Sequence, residues 1–223
     1  MGNMLNDPAF TAVTWIVIDF ETLTPVGRPP EPVEVAAVSG QFTPAGQWME
    51  TGRFHSLIRP PDGVPVTASD HEQTGLTARM LALERTADEV MTALDASVAA
   101  PPRRLVAHSA HTEAAVIAGQ HDHCPQLAKT SLLCTVKLAC HAWPELNSHR
   151  LDAVLRFLRI AIPPDRHRAM PDAELTVQAF CHALAAGADR GLWTTLQDVE
   201  AAAGIAPHPR RNRYPDAVQA PLF

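Results

Sequence analysis

Two acidic residues at the end of a hydrophobic run have the spacing of a metal site. The run over 14–20 (TWIVIDF) is rich in β-branched residues and predicts a buried strand that carries Asp19, with Glu21 directly beyond it. Side chains two residues apart in an extended chain point the same way, so the two carboxylates should converge. Solvated acids are common at strand ends. Converging carboxylates, however, repel each other unless a hard cation such as Mg²⁺ or Mn²⁺ neutralises them.

A histidine and further acids in the rest of the chain favour hydrolytic chemistry. In the segment HRAMPD, His167 precedes Asp172 by five residues, at the start of a predicted helix. An imidazole can accept a proton from water near neutral pH, while a carboxylate holds a metal ion. Glu113 follows another apolar strand, in LVAHSAHTEAAVI, and is a candidate for the remaining carboxylate. These residues together predict metal-assisted hydrolysis.

The elements that must position these residues are strands first, then strands alternating with helices. Apolar periodicity and turn residues predict strands over 14–20, 33–42, 47–58, 104–107 and 131–134. They predict helices over 85–99, 110–120, 135–143, 151–158 and 172–186. The first three strands should be antiparallel, with a hairpin turn at 44–46. This order indicates an α/β fold with a mixed sheet covered by helices.

Composition and charge limit the classes of protein to which the chain could belong. It has 223 residues, 46% of them hydrophobic and 19% charged, and no apolar run approaches the roughly 18 residues that span a bilayer. Neither a secretory signal nor a disulfide pattern is evident, so we expect a cytoplasmic protein with reduced thiols. The net charge is −6, and the last 18 residues are basic, which leaves −8 on residues 1–205. An acidic body argues against tight nonspecific binding to duplex DNA.

Five segments in the same order give the chain a resemblance to a known family. WIVIDFETLTP, EVAAVSG, HEQTGLTARML, LVAHSAHTEAAVI and HRAMPDAELT resemble successive motifs of the DnaQ-like DEDD exonucleases, in the branch with a histidine base. The resemblance covers roughly residues 15–184. It implies a ribonuclease-H-like fold, a mixed five-stranded sheet flanked by helices, in a domain over 14–204. Residues 1–13 would be an N-terminal extension, and 205–223 a tail rich in Pro and Arg.

The resemblance also implies a reaction and a role for each candidate residue. The family removes 5′-nucleotides one at a time from a 3′ end, using two divalent ions, Mg²⁺ or Mn²⁺. Asp19, Glu21 and Asp172 would hold one ion, with Asp19 bridging to the second. Glu113 would serve the second ion, directly or through water. His167 would deprotonate the attacking water.

The middle motif departs from the family pattern. Glu113 stands where the family has Asp, Thr112 where it has Phe, and Ser109 where it has Asn. Glutamate keeps the charge but is longer and loses more rotamer entropy when it is ordered. The affinity for the second metal ion could therefore be lower than in the family. Alternatively, Glu113 only interacts with the dipole at the start of its helix.

The substrate is left open among three hypotheses. The leading one is a 3′-5′ exonuclease on single-stranded or frayed DNA ends, whose terminal nucleotide would contact Phe20, Thr22 and Leu23 by their position in the family. RNA or short oligoribonucleotides are the second hypothesis, since attack falls on phosphorus, away from the 2′-OH. The third is a binding module, weakened at Glu113, that recognises ends or a partner without turnover.

The last five residues suggest a partner. Gln219-Ala-Pro-Leu-Phe223 resembles the Q-x-x-L-F peptide by which bacterial replication and repair proteins bind the sliding clamp. Leu222 and Phe223 would otherwise be apolar residues at the free end of a polar tail. The alternative is a tail that folds back onto its own domain or frays.

Overall fold

The computed structural model describes residues 1, 4–98, 100–164 and 166–205. Its strands are β1 (Thr14–Leu23), β2 (Glu31–Phe42), β3 (Trp48–Leu57), β4 (Arg103–Ala107), β5 (Leu132–Cys134) and β6 (Gly204–Ile205). Its α-helices are α1 (Pro8–Thr11), α2 (Ala68–Thr74), α3 (Ala78–Leu81), α4 (Ala87–Ser97), α5 (His111–Gly119), α6 (Pro125–Ala128), α7 (Thr135–Ala142), α8 (Leu151–Phe157), α9 (Ala169–Asp189) and α10 (Leu196–Ala203). A 3₁₀ turn, Met4–Asn6, precedes α1.

The strands form one mixed sheet in the order β3-β2-β1-β4-β5-β6. The pairs β3-β2, β2-β1 and β5-β6 are antiparallel, whereas β1-β4 and β4-β5 are parallel. This confirms the predicted α/β fold with a mixed sheet flanked by helices. The sheet has one strand more than the five expected, because Gly204 and Ile205 add a short pair to β5. Two residues carry too little periodicity to be recognised as a strand.

Alternating side chains of β1 belong to two different cores. Trp15 and Val17 face the core that lies under α9, while Ile16 and Ile18 face the core under α4 and α5. This is the two-residue period of a strand that is covered on both faces. Because β1 is fixed from both sides, the residues at its carboxyl end have a well-defined position.

The long helix α9 is held on the sheet by aromatic side chains. Phe180 contacts Trp15 of β1 with ring centroids 5.1 Å apart and Phe42 of β2 at 6.2 Å. Phe10, which precedes β1, stacks on Phe42 at 5.4 Å and is fully buried. Aromatic pairs at these separations contribute roughly 0.5–1.5 kcal/mol beyond their burial. They fix the helix, and with it the position of its first turn.

Within the described residues, no helix has both the length and the apolar character that crossing a bilayer requires.

Candidate active site

The carboxyl end of β1 extends past its neighbour β4. The last β1-β4 pair joins Val17 to Val106, so Asp19 and Glu21 lie beyond it and pair with β2 alone. The register of β1 against β2 shifts directly after Glu21. One side of the strand is therefore open where the two acids stand. The sheet leaves room for a site at this edge.

Helix α9 brings a third carboxylate to this edge. Asp172 lies in its first turn, and carboxylate oxygens of Asp19, Glu21 and Asp172 all lie within 4.8 Å of one another. Glu21 and Asp172 are buried, and Asp19 is partly buried. Three carboxylates at this separation form the oxygen-rich ligand set that hard divalent cations take.

The negative charge of the site converges on Asp19. Burial raises the pKa of the Asp19 carboxyl well above its ordinary value, and the charges of Glu113, Asp172 and Glu21 raise it further. The guanidinium of Arg166 acts in the opposite direction but does not outweigh them. Without another cation, the site favours protonated carboxyls.

Glu21 and Asp172 are affected by the same environment. Burial, followed by the charges of Asp172 and Glu34, raises the pKa of Glu21 from 4.5 to about 7. Burial also raises the pKa of Asp172, although Arg166 donates a hydrogen bond to its Oδ2 and lowers that pKa in part. The backbone N–H of His167 lies 3.4 Å from Asp172 Oδ1.

Glu113 lies beside the three acids but outside the 4.8 Å group. Glu113 is buried in the first turn of α5, and burial raises the pKa of its carboxyl from 4.5 to about 8. Its Oε2 atom is buried without a hydrogen-bond partner. A buried carboxylate oxygen with no partner is costly, so this atom needs a ligand or a proton.

These observations fit divalent metal ions. Converging carboxylates with raised pKa values and an unpaired buried oxygen all gain free energy from a bound cation. Asp19, Glu21 and Asp172 could hold one ion, and the charge of Glu113 acts on Asp19 from outside this group. The residues present therefore fit a divalent cation.

A cleft of about 610 Å³ opens beside the acids, large enough for a nucleotide. Asp19, Asp172 and His167 line it together, as the sequence predicted for a hydrolytic site. Its other walls carry polar and cationic side chains that sequence reasoning had not assigned: Gln73, His108, Asn147, Ser148, His149, Arg150 and Arg166. The cleft therefore combines a metal-binding end with groups that suit phosphate.

His108 differs from the other cationic candidates in the cleft. Burial, together with the charge of Arg166, lowers the pKa of its imidazole from 6.5 to about 4. Its Nδ1 lies 2.8 Å from the hydroxyl of Thr135, and its Nε2 is buried. His108 is therefore neutral at physiological pH.

Phe20 and Leu23, expected to contact the terminal nucleotide, have buried side chains. Phe20 is 6% exposed in the core under α4 and α5, and Leu23 is 3% exposed in a small cluster with Leu76 and Leu81. Thr22 is partly exposed. None of the three lines the 610 Å³ cleft, and their contact with a nucleotide stays a prediction.

Sequence reasoning assigned no role to Glu34, Arg166 and Arg168, although all three surround the site. Glu34 is 1% exposed in β2, and Arg168 donates to both of its carboxylate oxygens at 2.8 Å. Burial raises the pKa of Glu34, but hydrogen bonds from Arg168 and His55 outweigh it and the net pKa is lowered. An acid in an otherwise apolar strand was a usable signal, because a buried carboxylate requires a cationic partner. Its partner, 134 residues away, gave no such signal.

The predicted clamp-binding peptide Gln219–Phe223 lies outside the described residues. So does the rest of the tail beyond 205, and its proposed boundary stays a prediction.

Comparisons with known proteins identify the family of the chain. A family model described as "Exonuclease" (RNase_T) matches residues 16–180. The chain is 30% identical over 183 residues to a "DNA polymerase III PolC-type" protein of Thermotoga maritima, in a match that covers 80% of this chain and 12% of that protein. The chain thus corresponds to a small part of that relative.

Two solved structures share the fold. The structure described as "Exonuclease X in complex with 5' overhanging duplex DNA" matches with a TM-score of 0.59 at 22% identity, over 83% of this chain and 98% of the other. The nuclease domain of 3'hExo, described as a DEDDh family member bound to rAMP, matches with a TM-score of 0.61 at 15% identity, over 81% and 95%. Because the family model matches most of the sheet and the first part of α9, the chain belongs to the exonuclease family and has its DnaQ-like fold.

Proposed function

We propose that the protein is a metal-dependent 3′-5′ exonuclease that releases nucleoside 5′-monophosphates from single-stranded or frayed DNA ends. The observation that carries this proposal is the convergence of Asp19, Glu21 and Asp172 within 4.8 Å at the edge of a cleft that also contains His167. The family match over residues 16–180 supports nucleic acid ends as the substrate class.

The cations in this mechanism are two Mg²⁺ or Mn²⁺ ions. When bound by Asp19, Glu21, Asp172 and Glu113, they would neutralise developing charge on the attacking and leaving oxygens of an in-line displacement. The family resemblance implies that Asp19 would contribute to holding both ions, and the charges of the other three acids all act on its carboxyl.

The chain's own side chains supply proton transfer and orientation. His167 would accept a proton from the attacking water as the water oxygen bonds to phosphorus. The bond between phosphorus and the 3′-oxygen of the preceding nucleotide then breaks, and that oxygen takes a proton from solvent. A 5′-monophosphate and a strand shorter by one nucleotide result.

The cleft wall supports a polyanionic substrate in spite of the net charge of −6. Arg150 directly precedes α8 at the cleft, and Arg166 lies between α8 and α9. Local cations beside an acidic site focus the potential on the strand without making the whole surface basic. This arrangement favours one strand in a cleft over nonspecific binding along a duplex.

RNA remains the second candidate for the substrate. The rAMP in the related nuclease domain favours it, because it shows a ribonucleotide in a site of the same fold. The chemistry at phosphorus does not depend on the 2′-OH. The third candidate, an end-binding module without turnover, depends on whether Glu113 supports the second ion.

One experiment separates the three candidates. The purified protein is incubated with matched DNA and RNA oligonucleotides, labelled at the 5′ end, in Mg²⁺, Mn²⁺ or EDTA. We expect stepwise shortening of the DNA from its 3′ end that stops in EDTA. Faster shortening of RNA would establish the second candidate, and binding without release of mononucleotides in either metal would establish the third.

A further inference from the structure

His167 has a backbone conformation that needs support from its neighbours. Its φ is +70°, in the left-handed region that residues with a Cβ rarely adopt. It lies in the short connection that precedes α9, which begins at Ala169. A residue in this region relaxes to a favoured conformation unless its surroundings prevent it.

The residue after His167 is tied to the sheet. Arg168 donates through Nε to Glu34 Oε2 and through Nη2 to Glu34 Oε1, both at 2.8 Å. The same carboxylate accepts from the backbone N–H of Ala169 at 3.2 Å, and His55 Nε2 lies 2.7 Å from Oε1. Two parallel hydrogen bonds between Arg and a carboxylate fix direction as well as distance. Glu34 thereby anchors the first residues of α9 to β2.

The residue before His167 is tied to a different element. Arg166 donates through Nε to Asp152 Oδ1 at 2.9 Å, and Asp152 lies in the first turn of α8. The Nη1 of Arg166 donates to Asp172 Oδ2. The Arg166 side chain is 15% exposed, so this pair is partly shielded from solvent.

We infer that Glu34 and Asp152 are positioning residues for His167, which they hold through Arg168 and Arg166 on either side of it. The segment 166–168 is tied to α8 through Arg166 and to β2 through Arg168. A return of His167 to a favoured φ would move at least one of these arginines relative to its carboxylate. The inference rests on the proposed role of His167 as the base that accepts the proton from water.

Residues that position His167 and residues that only stabilise the fold have different expected effects on the kinetics. If Glu34 and Asp152 act through His167, Glu34→Gln and Asp152→Asn lower kcat and leave KM nearly unchanged. Supporting residues one step removed from a reacting group typically contribute about 10- to 100-fold, and we expect losses in that range. The binding constant for Mn²⁺, measured by calorimetry without nucleic acid, should stay within about threefold of the wild-type value. A parallel loss of Mn²⁺ affinity would place the effect on Asp172 and overturn the inference.

A double-mutant cycle tests the route of the effect. In a His167→Ala background, Glu34→Gln should cause no further loss, because the group that it positions is already absent. An equal loss in both backgrounds would overturn the inference. Arg168→Lys keeps the positive charge but cannot make two parallel hydrogen bonds to Glu34, so it should lower kcat as much as Glu34→Gln does. It therefore provides the test if Glu34→Gln does not fold.

Glu174→Gln is the matched control. Glu174 lies in the same helix as Asp172, is 43% exposed, and pairs with Arg53 of β3, away from His167. The Glu174→Gln substitution also removes one negative charge, and we expect wild-type kinetics. Equal losses of kcat in Glu174→Gln and Glu34→Gln would show that removal of a negative charge is sufficient, and this would overturn the inference.

A spectroscopic readout keeps this inference separate from the proposed function. The imidazole resonances of His167 in the metal-free protein, assigned with His167→Ala, should shift or broaden in Glu34→Gln and Asp152→Asn but not in Glu174→Gln. Unchanged resonances would overturn the inference whether or not the protein is a nuclease. A wild-type protein that releases no nucleotide would overturn the proposed function, and the spectra would still decide the role of Glu34.

Discussion

Asp19 has the most negative surroundings in the candidate site. Three other carboxylates raise its pKa in addition to burial, and the positive charge of Arg166 compensates only in part. Such a group destabilises the folded protein when it is ionised. A charged group that destabilises the folded protein in the absence of a ligand is typical of a residue that binds one.

Asp19→Asn should abolish hydrolysis and leave the fold intact. The change removes the carboxylate shared by both proposed ions but keeps the size and shape of the side chain. We also expect a higher melting temperature for the metal-free variant at pH 8, because repulsion among the acids is reduced. Asp172→Asn should lose activity in the same way. Near wild-type rates in Mg²⁺ for either variant would contradict the assignment.

Glu113→Asp tests the residue that departs from the family pattern. Aspartate has the carboxylate length expected from the resemblance, so the variant should need less Mg²⁺ for half-maximal rate. Glu113→Ala should be slower than either, because it removes the buried carboxylate entirely. Magnesium titrations of the three proteins provide the measurement. Identical curves would show that Glu113 is only a residue at the start of α5.

At the scale of elements, three chain segments meet at the site: the end of β1, the first turn of α5 and the first turn of α9. The two cores hold β1 on both faces, and the aromatic contacts of Phe180 hold α9 on the sheet. Helix N-termini carry partial positive charge, which partly offsets the carboxylates in both first turns. The elements therefore assemble a charge cluster that isolated segments would not form.

The stability of the metal-free protein should fall as the pH rises. The folded-state pKa of Glu21 is about 7 and that of Glu113 about 8, both raised from 4.5. The folded state therefore binds these protons more tightly than the unfolded state. The stability that they contribute is complete below pH 4.5 and is lost as the pH rises through 7 and 8.

Thermal unfolding in EDTA between pH 5 and pH 9 measures this dependence. We expect a declining melting temperature, a smaller decline in Glu21→Gln, and recovery at pH 8 on addition of Mn²⁺, which binds only the folded state. The predicted pH dependence would be refuted by a melting temperature that stays constant or rises over this range and that is the same for Glu21→Gln as for the wild type.

The sequence was informative about elements with a clear period. Periodicity predicts, to within a few residues, the strand β1, the β2-β3 hairpin and five helices: α4, α5, α7, α8 and α9. The remaining helices, α1, α2, α3, α6 and α10, were not predicted. Two of these, α2 and α10, begin with a capping box that the sequence shows: Thr67 with Asp70, and Thr195 with Asp198.

The contacts between distant residues could not be predicted in the same way. The bidentate pair of Glu34 and Arg168 depends on how α9 lies across the sheet, which no local pattern encodes. The convergence of Asp19 with Asp172 was expected from the family resemblance and the chemistry of the residues. Periodicity alone would have placed each acid at the end of its own element.

At the scale of the whole molecule, an acidic domain carries a cleft with two arginines in its wall. The net charge of −6 disfavours sliding along a duplex, while Arg150 and Arg166 line the cleft. We therefore propose that any processivity comes from a partner rather than from the protein's own surface. The Q-x-x-L-F sequence at 219–223 is our candidate for that contact.

Deletion of Gln219–Phe223 tests the proposed partner. The truncated protein should shorten small oligonucleotides at the wild-type rate but lose binding to a bacterial sliding clamp. Two apolar anchors in a preformed groove give an affinity on the order of micromolar, because ordering of the tail offsets much of the burial. Calorimetric titration of both proteins is the measurement. The absence of binding by the intact protein at tens of micromolar would end this proposal.

The order of the segments along the chain has a consequence for biosynthesis. Asp19 leaves the ribosome well before α9 (Ala169–Asp189), which carries the third carboxylate and follows the proposed base. The growing polypeptide therefore has no assembled hydrolytic site until this helix has been made. A nascent chain held beside its own messenger RNA acquires the capacity to cut nucleic acid only after α9 has emerged and packed on the sheet.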